Sequence, residues 1–543
     1  MSEPAPRDWT WRLMPDRVAR EFAIAPAPQL IGHVTGVSGA RMTGVADGDP
    51  ATSIQLGAMV KVPGPDSTVF GLVSGLTLAG EISEGARGSI EVELLGEVVD
   101  DSGKFRRGVT RYPTLGREIQ AADHDDLTLI YTRPDVPTVR VGTLFQDRDL
   151  PVYARTDELL GKHFAVLGTS GTGKSCAVTL ILQAVLDRNP NGHVIMLDPH
   201  NEYAPAFNGA AEVLSPDNLQ LPYWMLNFEE SRALFVGRDR GSDAESAIIG
   251  TAILAAKRKF VGTPEAGKQI TVDTPVPYSM SELLHNIDAA MGQLDKPEDS
   301  APYLRLKSRI ESLRADGRYK FLFSGLVVRD NLAQIVSRII RVPVAGKPLT
   351  IIDLSGIPSE VVDVVVSVLC RMIFDIAVWS ETPGAVPMLL VCEEAHRYVP
   401  ARDDLGFEPT KRAIARIAKE GRKYGVSLAL ISQRPAELSP DILSQCSTLF
   451  ALRMGNERDQ EFVRRTLPES AMSLVSALAA LGTQEAVAVG EGVPVPMRMR
   501  FDDLPPKRRP VGGASTFSAA WANDCATEDA IARTVERWRR QIR

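Results

Sequence analysis

Six short, fully apolar segments constrain the fold of this chain more than any other feature. They are HFAVLG (163–168), HVIMLD (193–198), LTIIDL (349–354), PMLLVC (387–392), VSLALIS (426–432) and STLFALR (447–453). Segments of this length without polar alternation are typical of strands buried on both faces, which occur in parallel sheets covered by crossover helices. The sequence therefore predicts an α/β core built on a doubly wound parallel sheet.

The remainder of the chain divides around this core. Runs of Val, Ile and Leu punctuated by Gly, Pro and Asp predict an N-terminal β-barrel. Its predicted strands are Ile31–Val37, Ser53–Val62, Val69–Leu78 and Ser89–Val99. Helical periodicity predicts an inserted helical subdomain between the second and third core strands, at Asp243–Phe260, Met280–Gly292 and Tyr303–Ala315.

These patterns define five segments. The assigned ranges are 1–145 for the barrel, 146–227 for the first part of the α/β core, 228–332 for the helical subdomain, 333–504 for the second part of the core and 505–543 for a C-terminal linker and bracing helix. The last helix carries Ile531, Val535, Trp538 and Ile542 in one apolar stripe. A stripe of this kind predicts that the helix docks against another surface.

The segment after the first apolar run has the pattern G-x-x-x-x-G-K-S. Its nucleotide-binding residues are Gly168, Thr169, Ser170, Gly171, Thr172, Gly173, Lys174 and Ser175, with Cys176 next along the chain. Glycines allow the loop to turn its N–H groups towards phosphate oxygens. Lys174 supplies a cation for the β- and γ-phosphates, and Ser175 a hydroxyl for Mg²⁺. A strand before this loop and a helix after it predict an ATP site rather than a flexible polar loop.

Two carboxylates end the apolar strand PMLLVC. Because functional groups collect at the carboxyl ends of parallel strands, we expect Glu393 and Glu394 beside the phosphate loop. Glu393 can hold Mg²⁺ through water, and Glu394 can polarise the attacking water. His396 either orients Glu394 or makes a simple polar contact.

The next apolar strand ends in Ser432-Gln433-Arg434-Pro435. An amide at this position can hydrogen-bond both a γ-phosphate and the attacking water, so we interpret Gln433 as a sensor of the nucleotide. Asp198, His200 and Glu202 follow another core strand. Three potential ligands this close in sequence rarely converge on a metal, and we expect them to form either the edge of the active site or loop structure.

Composition limits the classes of function. The chain has 543 residues, 44% of them hydrophobic, and a net charge of −7. The sequence has no apolar run long enough for a membrane span and no secretion signal, so we expect a cytoplasmic protein. Five scattered cysteines argue against a disulfide framework or a zinc site. An acidic chain that binds DNA is expected to do so inside a basic channel rather than on a broad basic surface.

The motifs together resemble the HerA branch of the HerA/FtsK ATPases along most of the chain. The resemblance rests on RTDELLGKHFAVLGTSGTGKS (155–175), MLDPHNEY (196–203), LPYWMLNFEE (221–230), IIDLSGIPSEVVDVVVSVLCRMIFDIA (351–377), LLVCEEAHRYVP (389–400) and RIAKEGRKYGVSLALISQRP (416–435). It implies a RecA-like core with an N-terminal barrel, assembled as a hexameric ring around double-stranded DNA. It also implies a translocase or helicase that works with an effector, either a nuclease such as NurA in DNA end resection or a phage-defence enzyme.

The resemblance also implies roles for single residues. Lys174, Ser175, Glu393, Glu394 and Gln433 correspond to the nucleotide, Mg²⁺, catalytic-base and sensor positions. Lys162 stands where an Arg usually acts in cis on the phosphates, and a Lys lacks the bidentate fork of Arg. Asn201 stands at a position where Gly is common in the family. Relatives carry an arginine near the EGRK motif that acts on a neighbouring subunit, for which Arg416 and Arg422 are the candidates.

Two other functions stay open on the sequence. A related pump could move DNA through a membrane pore, although the chain has no predicted membrane segment to anchor it. A scaffold ring could assemble and activate an effector with little unwinding of its own, and the negative net charge keeps this alternative open. DNA-stimulated ATP hydrolysis distinguishes a motor from a scaffold.

Overall fold

In a computed structural model, the structure describes most of the chain. The described residues are 29–46, 54–78, 88–99, 103–215, 218–237, 243–295, 297–323, 328–402, 404–467, 471–511, 518, 521–522 and 528–540. The chain divides into two compact units, of which the first ends at Thr132 and the second begins at Arg133.

The first unit is a closed β-barrel, which confirms the predicted barrel. Its elements are β1 (Leu30–Ser38), β2 (Arg41–Ala46), β3 (Met59–Pro63), β4 (Ser67–Leu78), β5 (Gly88–Val99), β6 (Phe105–Arg107), β7 (Glu118–Ala121) and α1 (His124–Tyr131). The strands pair in the order β2-β1-β7-β3-β4-β5, and a further pairing of β2 with β5 closes six strands into a ring. Strand β6 adds to β5 outside the ring. Alternate apolar side chains, including Ile31, Val60 and Val92, fill the interior.

The second unit contains an 11-stranded sheet. Its strands are β8 (Thr138–Leu144), β9 (Pro151–Arg155), β10 (Phe164–Leu167), β11 (His193–Asp198), β12 (Ala211–Leu214), β13 (Leu349–Asp353), β14 (Met388–Cys392), β15 (Val426–Ser432), β16 (Thr448–Leu452), β17 (Glu485–Gly490) and β18 (Met497–Phe501). They are arranged in the order β12-β13-β11-β14-β15-β10-β16-β17-β18-β8-β9. The six strands predicted from apolar segments are all present and mutually parallel where they pair, which confirms the predicted α/β core.

Helices cover this sheet and form the insertion. They are α2 (Thr156–Gly161), α3 (Lys174–Arg188), α4 (Phe228–Phe235), α5 (Asp243–Val261), α6 (Pro264–Gln269), α7 (Met280–Met291), α8 (Ala301–Ala315), α9 (Lys320–Phe323), α10 (Leu332–Ile340), α11 (Ser359–Trp379), α12 (Glu408–Tyr424), α13 (Pro440–Leu443), α14 (Glu457–Thr466), α15 (Met472–Val475) and α16 (Glu528–Arg540). Helices α5, α7 and α8 match the three helices predicted for the insertion. None of the helices in the part of the chain that the structure describes is long and apolar enough to cross a lipid bilayer.

The sheet is wider than the sequence analysis predicted. Strand β12 adds a parallel edge strand beyond β13, and β17, β18, β8 and β9 extend the other side in antiparallel register. Strands β8 and β9 lie in sequence that we interpreted as barrel end and connector. Strand β9 alternates half-exposed and buried residues, and β8 is interrupted by exposed Arg140 and half-exposed Thr143. Neither strand has the continuous apolar run that marks a central strand. The segment 133–145 therefore belongs to the core unit rather than to the barrel.

Two smaller predictions differ from the structure at their ends. The strand predicted at Ser53–Val62 begins only at Met59, and Ser53 lies outside the described residues. Helix α16 forms where the C-terminal helix was predicted and leaves Ile531 and Trp538 exposed, while Ile542 of the same stripe lies outside the described residues.

Candidate nucleotide site

The phosphate loop, the acid pair and Gln433 meet at the carboxyl edge of the central parallel strands. Strand β15 lies between β14 and β10, so the acid pair, Gln433 and the phosphate loop follow three adjacent strands. Strand β11 borders β14 on the other side and ends at Asp198. Loops at this edge of an open α/β sheet form the crevice in which ligands bind.

The phosphate loop has the backbone geometry that its glycines predict. Gly168, Gly171 and Gly173 have positive φ angles of 157°, 75° and 102°. A Cβ atom on Gly168 would lie 2.8 Å from Cβ of Leu452, closer than real carbon atoms approach. The first turns of the loop are anchored, because the amide of Thr169 donates to the carbonyl of Arg453 at 3.0 Å.

The middle of the loop is open to an anion. Within the described residues, the amides of Ser170, Gly171, Thr172 and Gly173 find no hydrogen-bond acceptor. Helix α3 begins at Lys174, so its first amides also lack intrahelical partners. Consecutive unpaired N–H groups at a helix N-terminus fit a phosphate group.

Lys174 lies nearly buried at the base of this loop, with Nζ donating to the carbonyl of Thr169 at 3.0 Å. Burial lowers the pKa of its ammonium group, while nearby carboxylates act against that shift. The carboxylates are those of Glu393, Glu394 and Glu202. The cation is thus placed between the phosphate loop and the acidic strand end.

Two further residues join the site. The Ser175 hydroxyl donates to Oε2 of Glu202 at 3.1 Å, and the Tyr203 hydroxyl donates to Oε2 of Glu393 at 2.6 Å. The sequence analysis placed Glu202 only at the edge of the active site and assigned no role to Tyr203. Their signal was the DPHNEY segment, which we interpreted only as an active-site edge.

The DPHNEY loop is held by its first residue. The buried carboxylate of Asp198 accepts hydrogen bonds from the amides of His200 and Tyr203, both at 3.1 Å. Asn201 has a φ of 55°, a left-handed conformation that Gly adopts freely and Asn tolerates. The departure from Gly at this position therefore keeps the same backbone shape.

Glu393 is buried at the end of β14. Burial raises the pKa of its carboxyl group to about 8, although the Tyr203 hydroxyl and the Lys174 ammonium favour the charged form. The neighbouring carboxylate of Glu394 raises it further. Such a crowded acidic strand end favours the approach of a divalent cation, which would relieve the repulsion.

Glu394 adopts a left-handed backbone conformation, with a φ of 53°. Its Oε2 atom is buried, makes no hydrogen bond to a described residue and lies 3.2 Å from Nδ1 of His396. His200 Nε2 lies 3.7 Å from the other carboxylate oxygen. A buried carboxylate oxygen without a hydrogen-bond donor fits a water molecule that enters with the nucleotide.

His396 has a second contact besides Glu394. Its Nδ1 atom lies 3.1 Å from the Ser432 hydroxyl at the end of β15. Gln433 follows Ser432 directly and is half-buried. Since the carbonyl of Ser432 accepts from the amide of Gly168 at 3.2 Å, Gln433 starts beside the entrance to the phosphate loop.

Lys162 and Arg422 lie at the amino edge of the parallel strands, at the opposite end of the strands from this site. Lys162 precedes β10 and forms ion pairs with Glu158 and Glu491. Arg422 lies in the last turn of α12, just before β15 begins at Val426. The seven residues of β15 span on the order of 20 Å and the four of β10 on the order of 13 Å, so each cation lies a strand's length from the phosphate loop of its own chain. The expected cis role of Lys162 does not agree with this geometry.

The two candidate arginines have different surroundings. The Arg416 guanidinium stacks over the Phe374 ring at 4.5 Å and lies 3.7 Å from Asp375. Arg422 is exposed, and its side chain makes no hydrogen bond or ion pair with any residue that the structure describes. The chain itself thus occupies Arg416 and leaves Arg422 available.

The residues present fit Mg²⁺ bound together with a nucleotide. Among the described residues, no group of three or more His, Cys, Asp or Glu side chains is arranged to hold a metal ion. Mg²⁺ in phosphate-binding sites instead uses one or two protein oxygens, phosphate oxygens and water. The Ser175 hydroxyl and the Glu393 carboxylate offer such oxygens beside the phosphate loop.

Comparisons with known proteins agree with these features. Residues 139–373 match the domain family described as the central domain of helicase HerA. The chain is 27% identical to a DNA double-strand break repair helicase HerA from Pyrococcus furiosus, over 71% of this chain and 73% of that protein. It is 29% identical to a protein of the same name from Sulfurisphaera tokodaii, over 72% and 74% of the two chains. A solved structure of VirB4 from Thermoanaerobacter pseudethanolicus aligns with a TM-score of 0.49 and 16% identity, over 69% of this chain and 99% of that one.

Proposed function

Since this chain is of the HerA type within the HerA/FtsK superfamily of P-loop ATPases, we propose that it hydrolyses ATP in a hexameric ring to move along double-stranded DNA. The observation that carries the proposal is the convergence of Lys174, Glu393, Glu394 and Gln433 at one edge of the sheet. They follow three adjacent central strands, since Lys174 comes after β10, both glutamates after β14 and Gln433 after β15. The names of the related helicases support DNA as the substrate.

Each site residue has a distinct chemical task. The open amides of the phosphate loop and Lys174 bind the phosphates, and Ser175 and Glu393 hold Mg²⁺. When bound, Mg²⁺ neutralises charge on the phosphate oxygens. Glu394 orients and polarises the attacking water, and Gln433 contacts the γ-phosphate or that water. His396 keeps Glu394 in place through their 3.2 Å contact.

Lys174→Ala is expected to abolish nucleotide binding or hydrolysis without unfolding the chain. Among the described residues, the ammonium group donates to the carbonyl of Thr169 and lies in the field of nearby carboxylates, so the core does not need it for packing. Binding of a fluorescent ATP analogue and steady-state ATP turnover measure the effect. Circular dichroism and thermal melting provide the control, and unchanged turnover in a folded variant would contradict the assignment.

The site requires a second subunit in this proposal. Among the described residues, Lys174 is the cation that lowers the pKa of the Glu393 carboxyl group. Arg422 lies at the far edge of the sheet, exposed and available. A ring in which this edge faces the nucleotide of the next subunit would supply the missing charge, and an arginine of this kind raises the rate by about 10³ to 10⁵.

DNA binding is proposed to occur in the central channel, through phosphates and without sequence preference. The chain carries a net charge of −7, so its cations must be concentrated where the DNA passes. We expect affinity for a short duplex to fall by about 10³-fold between about 50 and about 200 mM salt. Fluorescence anisotropy with duplexes of unrelated sequence measures this. Tight, salt-insensitive binding to one sequence would contradict the proposal.

An effector enzyme, a NurA-like nuclease or a phage-defence enzyme, is proposed to dock on the barrel. The barrel loop that contains Thr110 and Arg111 is fixed in position, because the amides of both residues donate to the buried carboxylate of Glu97 at 3.2 and 3.3 Å. The same loop exposes Tyr112 and Leu115 by 53% and 68%. Fixed apolar side chains on a surface are suited to contact a partner protein.

Removal of the barrel is expected to abolish effector binding while nucleotide binding is retained. The cut belongs before Arg133, because a cut at residue 145 would remove β8 from the core sheet. Co-purification of a candidate effector with the full chain and with residues 133–543 measures the loss. Tyr112→Ala with Leu115→Ala in the full chain is the matched variant, and full binding by the truncated chain would rule out this docking site.

A scaffold ring is the second candidate function, and the negative charge of the chain favours it. Such a ring would use ATP to assemble and activate its effector with little unwinding. Stimulation of ATP hydrolysis by duplex DNA separates the two, because a motor couples hydrolysis to DNA and a scaffold does not.

A further inference from the structure

The ring of His163 is buried between three elements of the core. His163 precedes β10 and is only 4% exposed. Its Nε2 atom lies 3.0 Å from the carbonyl of Ala418 in α12, and its Nδ1 atom accepts from the amide of Leu428 in β15 at 2.9 Å. One imidazole therefore joins the strand before the phosphate loop to the helix that carries Arg422 and to the strand that ends before Gln433.

The two hydrogen bonds determine the protonation state and the tautomer of the imidazole ring. Because Nδ1 accepts from a backbone amide, the proton must be on Nε2, which donates to the Ala418 carbonyl. Burial lowers the pKa of His163, and the nearby charge of Arg422 lowers it further. The imidazole is consequently neutral and has one tautomer.

The contact with α12 falls on the turn that carries Arg422. In an α-helix the amide of residue 422 donates to the carbonyl of residue 418, so His163 bonds the carbonyl that also closes the turn of Arg422. The backbone of His163 has a φ of 57°, which is uncommon for a residue other than Gly. The carbonyl of His163 also accepts from the amide of Ser447 at 3.2 Å, which ties it to the start of β16. The side chain is thus held on a strained backbone to reach this turn.

We propose that His163 is a positioning residue for the arginine that each subunit offers to its neighbour. It holds the last turn of α12 against the strand that leads into the phosphate loop, and so sets where Arg422 projects. The inference rests on the proposed function, because it requires Arg422 to act on the next subunit. It assigns His163 no contact with nucleotide.

Two substitutions of His163 each retain one of the two hydrogen bonds of the ring and remove the other. The amide of Gln reaches about as far as Nε2, so His163→Gln can keep the bond to Ala418 in α12. The shorter amide of Asn corresponds to Nδ1, so His163→Asn can keep the bond to Leu428 and loses the bond to the helix. His163→Gln leaves the buried amide of Leu428 without an acceptor, whereas in His163→Asn the carbonyl of Ala418 keeps its donor within the helix. The larger cost to folding therefore falls on the variant that is expected to retain donation.

Mixed rings test the proposal. Acceptor subunits carry Arg422→Ala, and donor subunits carry Glu394→Gln, so that turnover requires an arginine from a donor. We expect donors with Glu394→Gln and His163→Asn to restore about tenfold less ATP turnover than donors with Glu394→Gln alone. Donors with His163→Gln are expected to restore turnover within about twofold, since the contact with the Arg422 turn persists.

Nucleotide affinity and thermal melting of each donor are the controls. Equal nucleotide affinity in both His163 variants, with impaired donation only by His163→Asn, is expected. The proposal is overturned if His163→Asn donors restore turnover fully, or if both variants fail equally together with a loss of nucleotide binding. If donors with an intact His163 also restore nothing, the shared site itself is wrong and the role of His163 falls with it.

Discussion

Glu394→Gln is expected to leave ATP binding intact and to lower ATP turnover by about 10³-fold. The substitution keeps the size of the side chain and its place beside His396, but it removes the negative charge that polarises the attacking water. The Oε2 atom of Glu394 is buried and has no hydrogen-bond donor among the described residues, so a bound water is its expected partner. Single-turnover hydrolysis and binding of an ATP analogue, measured on the same preparation, separate the chemical step from binding.

Glu393→Gln is the matched control for this prediction. It also replaces a buried carboxylate at the same strand end, but we expect it to weaken the Mg²⁺ dependence of nucleotide binding. Its bond from the Tyr203 hydroxyl at 2.6 Å can be retained by the amide oxygen. Full turnover in Glu394→Gln, together with unchanged Mg²⁺ dependence in Glu393→Gln, would show that the two roles are assigned wrongly.

Arg422→Ala is expected to lower turnover by at least about 10³-fold while assembly and ATP binding persist. The loss arises because the neighbouring site would lack the charge that stabilises the transferring phosphoryl group. Arg416→Ala is the control on the same helix, since Arg416 stacks on Phe374 and lies near Asp375 within its own chain. We expect the control to retain turnover within a few-fold.

Subunit mixing tests whether Arg422 acts across subunits. Rings of Arg422→Ala and Glu394→Gln subunits should regain part of the turnover that each variant lacks alone, because one supplies a complete acid pair and the other an intact arginine. Normal hydrolysis by Arg422→Ala as a monomer, with no recovery in mixtures, would refute the shared site.

The sequence by itself determined the central sheet and the identity of the nucleotide loop. Continuous apolar runs such as Phe164–Leu167 and Leu428–Ile431 are buried on both faces, so their burial requires no information from elsewhere in the chain. The phosphate loop is equally local, because its shape depends on glycines and its anion site on its own amides. The acid pair was predictable because it ends one of these strands.

The tertiary structure decided the features that depend on contacts between distant segments. Strands β8 and β9 join the core sheet through pairing with β18, more than 350 residues away at Arg500↔Thr143, which no local pattern reveals. Tyr203 reaches Glu393 across 190 residues of sequence. Phe374 and Asp375 lie beside the Arg416 guanidinium, and this contact within the chain is the reason for proposing Arg422 as the arginine that acts on the next subunit. Lys162 lies before β10 and pairs with Glu491, a strand's length from the phosphate loop. Local pattern determines which residues are buried and how a loop turns, whereas the partner of an exposed or charged side chain is determined only when the chain is packed.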